Sequence, residues 1–306
     1  TAFGAKSTSK LLRAVDGVDL AIEQGEVLGL VGESGCGKST LGRLVAGILP
    51  QDSGDVLFKG KPMVDKTHRK TGDGLGVQMI FQNPSAALDP RQRILDAIIE
   101  APIAHGLIQR REAHSFAVEA LDRVGLREEV LQRYPHQFSG GQRQRICIAR
   151  ALAVNPEVVV CDEPVASLDV SIQAQIINLF LDLRDSLDLS YLFISHDISV
   201  VEHVSDRIAV MYLGQIVEIG PASDLFENPL HPYTKALLSE VPTLDKPLSE
   251  EHALEGELPS PLSPPSGCRF HPRCPIAMEE CRSQEPGLVS WGSGHRVSCL
   301  AVQKEI

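Results

Sequence analysis

The sequence contains no apolar run close to the roughly 20 residues that a membrane-spanning helix needs. It also lacks an excess of basic residues, since 29 Lys and Arg face 40 Asp and Glu, for a net charge of -11. The first absence excludes a chain that crosses a bilayer on its own helices. The second indicates a surface that repels nucleic acid and anionic lipid headgroups. We therefore expect no nucleic-acid partner, and we expect any membrane attachment to go through another protein.

The N-terminal segment TAFGAKSTSK has neither an initiating Met nor the apolar core of a secretory signal. We expect it to be a cut or fused end, with the natural chain beginning earlier. Without a signal, the seven cysteines favour a reducing compartment, where thiols stay free or bind metal. A cytoplasmic location is the simplest interpretation. The length of 306 residues predicts one large domain and a smaller appendage.

Short apolar runs alternate with helical patterns along much of the chain. Strands are predicted at residues 18–22, 26–31, 55–58, 77–81, 157–161, 191–194, 208–212 and 215–219. Apolar residues at helical spacing predict helices over residues 38–48, 142–154 and 171–187. From about residue 84 to residue 135 the pattern is helical without a strand, which predicts a helical subdomain. The alternation elsewhere predicts a mainly parallel sheet covered by helices.

A glycine-rich segment, GESGCGKST, joins a predicted strand to the helix that follows it. Gly32 and Gly37 allow the backbone to wrap around phosphate oxygens and deliver them to the helix N-terminus. In this pattern Lys38 reaches the β and γ phosphates, and the Ser39 hydroxyl binds Mg²⁺. A chance match is expected in roughly one chain of this length in a hundred, so we interpret the segment as a phosphate-binding loop. Its other contacting residues are Ser34, Gly35, Cys36 and Thr40.

Two acidic residues follow the apolar strand in VVVCDE, at the edge where parallel strands present their carboxyl ends. We expect Asp162 to lie on the Mg²⁺ side of the phosphates. Hydrolysis needs an acceptor in line with the γ phosphate, and we assign Glu163 to polarising the attacking water. Acidic residues at a strand end are more often merely solvated. Their position after a phosphate loop favours the catalytic interpretation.

The segment FSGGQ lies between these two motifs. Ser139 and Gln142 match a capping box, so a helix cap is the simplest interpretation. A cap needs no glycine pair, however, and Gly140 and Gly141 would let another phosphate approach exposed amides. With the phosphate loop before it and the acidic strand after it, this segment resembles that of the nucleotide-binding subunits of ATP-binding cassette (ABC) transporters.

The resemblance to ABC subunits implies roles for several further residues. In that family the segment at 139–142 binds the γ phosphate held by the opposite subunit, so each complete site needs two nucleotide-binding domains. His196 matches the histidine that contacts the γ phosphate, and Gln82 matches the glutamine that touches metal and water. Asp169 belongs to the loop that crosses the dimer interface in the family. Phe3 is the aromatic residue available to stack on adenine.

Three segments resemble one branch of the family, the ATPases of peptide and nickel importers: residues 82–91, 162–171 and 228–242. The resemblance implies an α/β fold, that of a P-loop NTPase of ABC type. It comprises a mainly parallel core sheet, an antiparallel β portion, a helical subdomain and a small Cys-rich C-terminal extension. The implied domains are a nucleotide-binding domain over residues 1–235, with its helical subdomain at about 84–140, and the extension over residues 228–306.

In this branch, ATP hydrolysis energises the uptake of peptides, or alternatively of nickel or another small solute, across the cytoplasmic membrane. The implied partners are a second nucleotide-binding domain, separate or fused, two transmembrane permease subunits and an extracytoplasmic solute-binding protein. The chain would lie at the cytoplasmic face of the membrane, attached through the permeases by its helical subdomain. A non-transport cassette ATPase is the alternative class, but the sequence has neither the long heptad arms nor the basic linkers of such proteins.

The last forty residues contain four cysteines spaced C-x5-C-x6-C-x17-C, namely Cys268, Cys274, Cys281 and Cys299. Four thiolates suit zinc or an iron-sulfur cluster, whereas a reducing compartment disfavours disulfides. The resemblance to peptide importers favours a 4Fe-4S cluster, with Zn²⁺ as the alternative. His271 and His295 are alternative ligands, although surface positions are the commoner case for such residues. The remaining cysteines are predicted to be buried free thiols: Cys36, Cys147 and Cys161.

Overall fold

A computed structural model describes residues 12–63, 72–239, 257–292 and 294–304 of the protein. The chain forms two compact units. The larger unit comprises Leu20–Val31 and Ser39–Ile208, and the smaller unit comprises Thr1–Asp19, Gly32–Lys38 and Ala209–Ile306. Most of the phosphate loop therefore belongs to the same unit as the C-terminal extension. Among the described helices, none combines the length and the hydropathy needed to cross a bilayer.

The larger unit is built on four parallel strands, which confirms the predicted parallel sheet. Their spatial order is β4 (Val77–Ile80), β5 (Val158–Asp162), β6 (Ser190–Ile194) and β1 (Val27–Val31). Every residue of β1 and of β6 is buried. Strands covered on both faces need apolar residues at nearly every position, which is why these segments read as continuous apolar runs.

Helices make up much of the rest of the larger unit. They are α1 (Lys38–Val45, of which the first residue belongs to the smaller unit), α2 (Pro84–Ala87), α3 (Ile94–Ala104), α4 (Ala113–Asp122), α5 (Gly140–Leu152), α6 (Val170–Leu187) and α7 (Ile198–Val204). Between residues 84 and 138, all of which are described, the regular elements are exclusively helical. Two arginines of α5 anchor this region, because Arg145 donates to the Val124 carbonyl at 2.6 Å and Arg150 to the Ala87 carbonyl at 2.5 Å.

Two of the strand predictions were wrong or too long. Residues 18–22 alternate between half-buried and exposed, yet they belong to no strand among the described residues. The alternation reflects one-sided burial, and a strand also requires a neighbouring backbone to complete its hydrogen-bond ladder. The prediction at residues 55–58 shrinks to β2 (Leu57–Phe58), which pairs antiparallel with β3 (Lys61–Pro62).

The smaller unit contains antiparallel strands, as predicted, together with short helices. Its strands follow the order β7 (Arg207–Tyr212, from residue 209 onward), β8 (Gln215–Pro221), β10 (His295–Val297) and β9 (Val289–Gly292). Strand β10 pairs antiparallel with both β8 and β9. Its helices are α8 (Ala222–Glu227), α9 (Pro232–Ser239) and α10 (Leu300–Gln303).

Three aromatic rings form the centre of the smaller unit. Tyr212 of β7 lies 4.7 Å from Tyr233 of α9 and 5.3 Å from Phe270 of the tail, measured between ring centroids. Each of the three side chains is at most 1% exposed. Rings of this size contribute most of the apolar area that a small core can bury. The tail after residue 257 is therefore packed onto β7 and α9 within this unit.

Candidate active site

The phosphate loop follows β1 directly, and all three of its glycines, Gly32, Gly35 and Gly37, occupy backbone conformations that other residues rarely adopt. Gly32 has φ +151° and Gly37 has φ +115°. A Cβ atom at Gly32 would lie 2.2 Å from the Met211 carbonyl oxygen, and one at Gly37 would lie 2.1 Å from the Ala14 carbonyl oxygen. Gly32 and Gly37 are therefore required by the backbone packed behind the loop, in addition to any ligand in front of it.

Lys38 is enclosed by its own loop. Its ammonium group donates to the carbonyl oxygen of Gly32 at 2.6 Å and to that of Glu33 at 3.0 Å, and the residue is 5% exposed. Cys36 lies beside it, with a thiol whose pKa is raised by burial. Ser34 and Gly35 are exposed on the outside of the loop, where their backbone is open to a ligand.

Ser39 and Asp162 form a pair of oxygen ligands. The Ser39 hydroxyl donates to Asp162 Oδ1 at 2.8 Å, and Asp162 is buried at the end of β5. A hydroxyl and a carboxylate are the hard oxygen donors that Mg²⁺ prefers, and such sites leave the remaining positions to water and phosphate. The two side chains therefore fit the predicted magnesium site. Thr40, the next residue, is half-buried.

Three of the predicted catalytic side chains meet at the carboxyl ends of β4, β5 and β6. Glu163 Oε2 accepts a hydrogen bond from Gln82 Nε2 at 2.6 Å and lies 3.5 Å from His196 Nδ1. Adjacent parallel strands end at the same sheet edge, so residues that follow them in sequence converge there. We call Gln82, Glu163 and His196 the Glu163 group.

Glu163 has an unusual backbone. Its φ is +48°, in the left-handed region that residues with a Cβ seldom occupy, and its amide donates to the Ile194 carbonyl at 2.9 Å. Such conformations cost roughly 1–3 kcal/mol and persist where the surroundings enforce them, often at functional sites. The turn directs the Glu163 side chain away from the strand and toward Gln82 and His196.

The SGGQ segment forms a capping box at the start of α5. The Ser139 hydroxyl accepts from the Gln142 amide at 3.4 Å, and Gln142 Oε1 accepts from the Ser139 amide at 3.2 Å. The glycines lie inside the first helical turn, whereas the sequence had suggested that they precede the helix. A Cβ at Gly141 would lie 2.6 Å from Ile172 Cγ2, so close packing against α6 already requires glycine there.

The loop before α6 is held by a residue that the sequence did not indicate. Gln173 Nε2 donates to the carbonyl oxygens of Val165 and Leu168, at 3.2 and 3.0 Å. Asp169 occupies the N-cap position of α6, but its side chain makes no capping hydrogen bond. The next residue, Val170, is 81% exposed. The predicted adenine-stacking residue, Phe3, lies outside the described residues.

The four cysteines of the extension lie close together, but the predicted cluster site is not confirmed. The pKa of Cys274 is raised to about 11, mainly by burial and in smaller part by the nearby thiols of Cys299, Cys268 and Cys281. All seven cysteines are free thiols, and Cys36, Cys147 and Cys161 are buried as predicted. Within the described part of the chain, however, no three His, Cys, Asp or Glu side chains are arranged to hold a metal ion.

Both histidines of the extension contact other groups of the protein. His295 Nε2 pairs with Glu218 Oε1 at 2.8 Å, and both residues are buried. His271 Nδ1 lies 2.9 Å from the Cys268 carbonyl oxygen. Within the described residues, neither histidine is grouped with two other potential ligands in a way that could hold a metal ion, so the alternative in which they complete a ligand set with the thiols is not supported.

Family comparisons divide the chain into two matching regions. A model described as ABC transporter matches residues 15–166, and one described as oligopeptide/dipeptide transporter, C-terminal region, matches residues 217–281. The oligopeptide transport ATP-binding protein AppF of Bacillus subtilis is 50% identical over 293 residues, covering 94% of this chain and 89% of AppF. The dipeptide transport ATP-binding protein DppF of Haemophilus influenzae is 48% identical, with 95% and 90% covered.

Solved structures agree with these sequence relationships. CbiO1 of Clostridium perfringens, part of an ABC transporter complex, is 30% identical with a TM-score of 0.61, covering 70% of this chain and 84% of that one. The ATP-binding cassette MJ0796, solved with ADP and Pi, is 28% identical with a TM-score of 0.60, covering 68% and 90%. The chain therefore belongs to the ABC transporter family of ATP-binding proteins, within the group that carries the oligopeptide/dipeptide transporter C-terminal region.

Proposed function

We propose that ATP hydrolysis by this chain drives the import of peptides through a membrane permease. The observation that carries this proposal is the similarity to AppF and DppF, named for oligopeptide and dipeptide transport, at 48–50% identity over nearly the whole chain. The similarity includes the C-terminal region, which matches a model named for the same transporters. The ATPase chemistry follows from family membership, and the substrate class follows from these relatives.

The phosphate loop would bind the nucleotide through backbone amides and Lys38. The Lys38 ammonium has three donors and already contacts two loop carbonyls, so it would turn at least one donor to the β and γ phosphates. Ser39 and Asp162 would hold Mg²⁺, which when bound neutralises charge on the phosphate oxygens. Ser34, Gly35 and Cys36 would contribute backbone, together with Gly32, Gly37 and Thr40.

Glu163 would accept the proton of the attacking water. A general base must lie within hydrogen-bond reach of the proton it removes, and it must be ionised. The Gln82 amide, at 2.6 Å, holds one carboxylate oxygen, so the Glu163 side chain has a fixed direction. His196 is 58% exposed beside it, and we assign to this side chain a contact with the γ phosphate.

A second nucleotide-binding domain would complete the site. We assign the segment Ser139, Gly140, Gly141 and Gln142 to the γ phosphate held by the partner, because the N-terminus of α5 presents its amides there. Asp169 would lie at the interface between the two domains, next to the exposed Val170. Closure of this dimer on ATP would then be passed to two permease subunits by the helical subdomain.

The remaining proposals concern location and further partners. The protein would lie at the cytoplasmic face of the membrane and contact it through the permeases. An extracytoplasmic solute-binding protein would deliver the substrate. We further propose that Phe3 stacks on adenine, and that the nucleotide-binding domain spans residues 1–235 and the extension residues 228–306.

Reconstitution tests the substrate assignment. Proteoliposomes that contain this chain, its partner ATPase domain, the two permeases and the binding protein are expected to accumulate labelled di- or oligopeptides only with ATP. The Lys38→Ala chain serves as the control, because it removes the cation that holds the phosphates. ATP-dependent uptake of nickel without peptide uptake would contradict the peptide assignment and support the nickel alternative.

We also propose that the four cysteines of the extension bind a 4Fe-4S cluster, with Zn²⁺ as the alternative. The thiols influence one another's pKa, and the Cys268 amide donates to the Cys281 carbonyl at 2.8 Å, so small rearrangements would bring them together. Anaerobic purification is expected to yield about four irons and matching sulfide per chain, lost in Cys274→Ser. Cys147→Ser, at a buried thiol of α5, should retain them. One zinc, or no metal, would refute the cluster.

A further inference from the structure

Glu33, the second residue of the phosphate loop, forms hydrogen bonds with two residues of the C-terminal extension. Glu33, Tyr233 and Arg273 all belong to the smaller unit, although 240 residues separate the first from the last. The catalytic scheme above gives Glu33 no role. Its backbone amide nevertheless contacts Tyr233, and its carboxylate contacts Arg273.

Arg273 binds the Glu33 carboxylate with both branches of its guanidinium. Its Nη1 donates to Glu33 Oε2 at 2.7 Å and its Nη2 to Oε1 at 3.0 Å. The Arg273 side chain is 5% exposed, so this pair is largely shielded from solvent. A two-pronged contact fixes the orientation of a carboxylate as well as its distance, which a lysine at the same position could not do.

Tyr233 holds the backbone of the same residue. Its hydroxyl accepts a hydrogen bond from the Glu33 amide at 2.8 Å. Tyr233 is itself fully buried, and its amide donates to His231 Nδ1 at 3.0 Å. Burial lowers the pKa of His231 to about 4, so this nitrogen is free to accept. The buried Glu218 carboxylate accepts from the His231 amide at 2.9 Å, which anchors the start of α9.

The contacts of Glu33 with the extension reach the catalytic lysine through the backbone of this one residue. The Glu33 carbonyl accepts from Lys38 Nζ at 3.0 Å, while the amide of the same residue donates to Tyr233. Any shift of Glu33 would therefore displace a carbonyl that positions the Lys38 ammonium. Phosphate binding is sensitive to that position, because its affinity depends on preorganised donors.

We propose that Arg273 and Tyr233 are positioning residues for the phosphate loop, so that the C-terminal extension sets the affinity of this chain for ATP. The proposal rests on the phosphate-binding function proposed above for residues 32–40. It gives the extension a direct part in nucleotide binding within its own chain. The simpler alternative is that the Arg273–Glu33 pair only fastens the tail to the rest of the unit.

A double-mutant cycle on the full chain separates these two cases. Arg273→Ala and Glu33→Gln are each expected to weaken binding of a fluorescent ATP analogue about tenfold, and the double variant should be no weaker than either one. Arg273→Lys should lose less ATP affinity than Arg273→Ala but more than none, because lysine keeps the positive charge and cannot make the two-pronged contact with the Glu33 carboxylate. Tyr233→Phe, which removes a single hydroxyl and keeps the ring, should raise KM for ATP with little change in kcat.

Four results would contradict the proposal or its basis. Additive losses of ATP affinity in the double variant would show that Arg273 and Glu33 act independently, and melting temperatures that fall while ATP affinity stays unchanged would show a purely structural pair; either result would overturn it. Lys304→Ala breaks an exposed 2.9 Å contact with Glu280 in the same extension and should leave ATP affinity unaltered; an equal loss there would also overturn it. If Lys38→Ala retained full ATP affinity, the proposed loop function itself would fail.

Discussion

Replacement of Glu163 by Gln is expected to lower the rate of ATP hydrolysis by about 10²–10⁴-fold, the usual contribution of a general base. Glutamine keeps the size of the side chain and an oxygen that can accept from Gln82 Nε2, now 2.6 Å from Glu163 Oε2. It cannot take a proton from water. The ATP-bound, closed dimer should therefore accumulate, because binding is preserved while hydrolysis is blocked.

Phosphate release under saturating ATP and equilibrium binding of ATP measure the two effects separately. Glu157→Gln provides a matched control: this glutamate is 53% exposed, pairs with Lys59 at 2.6 Å and lies just before β5. The control should hydrolyse ATP at the unaltered rate. A Glu163→Gln chain that retained more than about a tenth of the activity would show that another group activates the water.

Replacement of Gly37 by Ala is expected to abolish most ATP binding, with a loss of affinity of about a hundredfold. Two costs combine, since φ of +115° is strained for alanine and the new Cβ would lie 2.1 Å from the Ala14 carbonyl oxygen. Relief of that overlap must move the loop or the segment behind it. A combined cost of roughly 3 kcal/mol corresponds to this loss.

Gly54→Ala is a control variant that introduces backbone strain at a positive φ without a steric overlap of the new Cβ. Gly54 also has a positive φ, +81°, but a Cβ there would meet nothing within 4 Å. We expect a fall in the free energy of unfolding of about 1 kcal/mol and an unaltered affinity for ATP. Thermal melts of the Gly37→Ala and Gly54→Ala chains measure the change in stability, and ATP-analogue titrations measure the change in affinity. Equal affinities for the two variants would mean that the loop tolerates the overlap.

The parallel sheet could be anticipated from the sequence because it follows from local patterns, whereas the roles of Gln82 and His196 were implied only by the resemblance to ABC subunits. Continuous apolar runs predict strands buried on two faces, and residues just after such strands meet at one sheet edge. Gln82, Glu163 and His196 each follow a strand by one or two residues, and they converge because β4, β5 and β6 are neighbours in the sheet. Nothing in the sequence around Glu163 predicts its φ of +48°.

The support of the phosphate loop could not be anticipated, because it joins residues far apart in the chain. Glu33 and Arg273 are ordinary charged residues, and nothing in their immediate sequence indicates a partly buried pair. The same holds for Glu218 and His295, whose contact depends on the short strands β8 and β10 lying side by side. Gly141 was attributed to phosphate alone, since its approach to Ile172 depends on how two helices pack.

Because Tyr233 and Arg273 lie far from Glu33 in sequence, the ribosome makes the phosphate loop well before the residues that hold it. A ribosome makes residues 32–38 early and reaches Arg273 some 240 residues later. At about 5–20 residues per second, that interval lasts roughly 12 to 48 s. Throughout it, the nascent loop lacks Arg273, and for the first 200 of these 240 residues it also lacks Tyr233. Because the proposed support of Glu33 would then be missing, we expect products that terminate before residue 273 to bind ATP weakly.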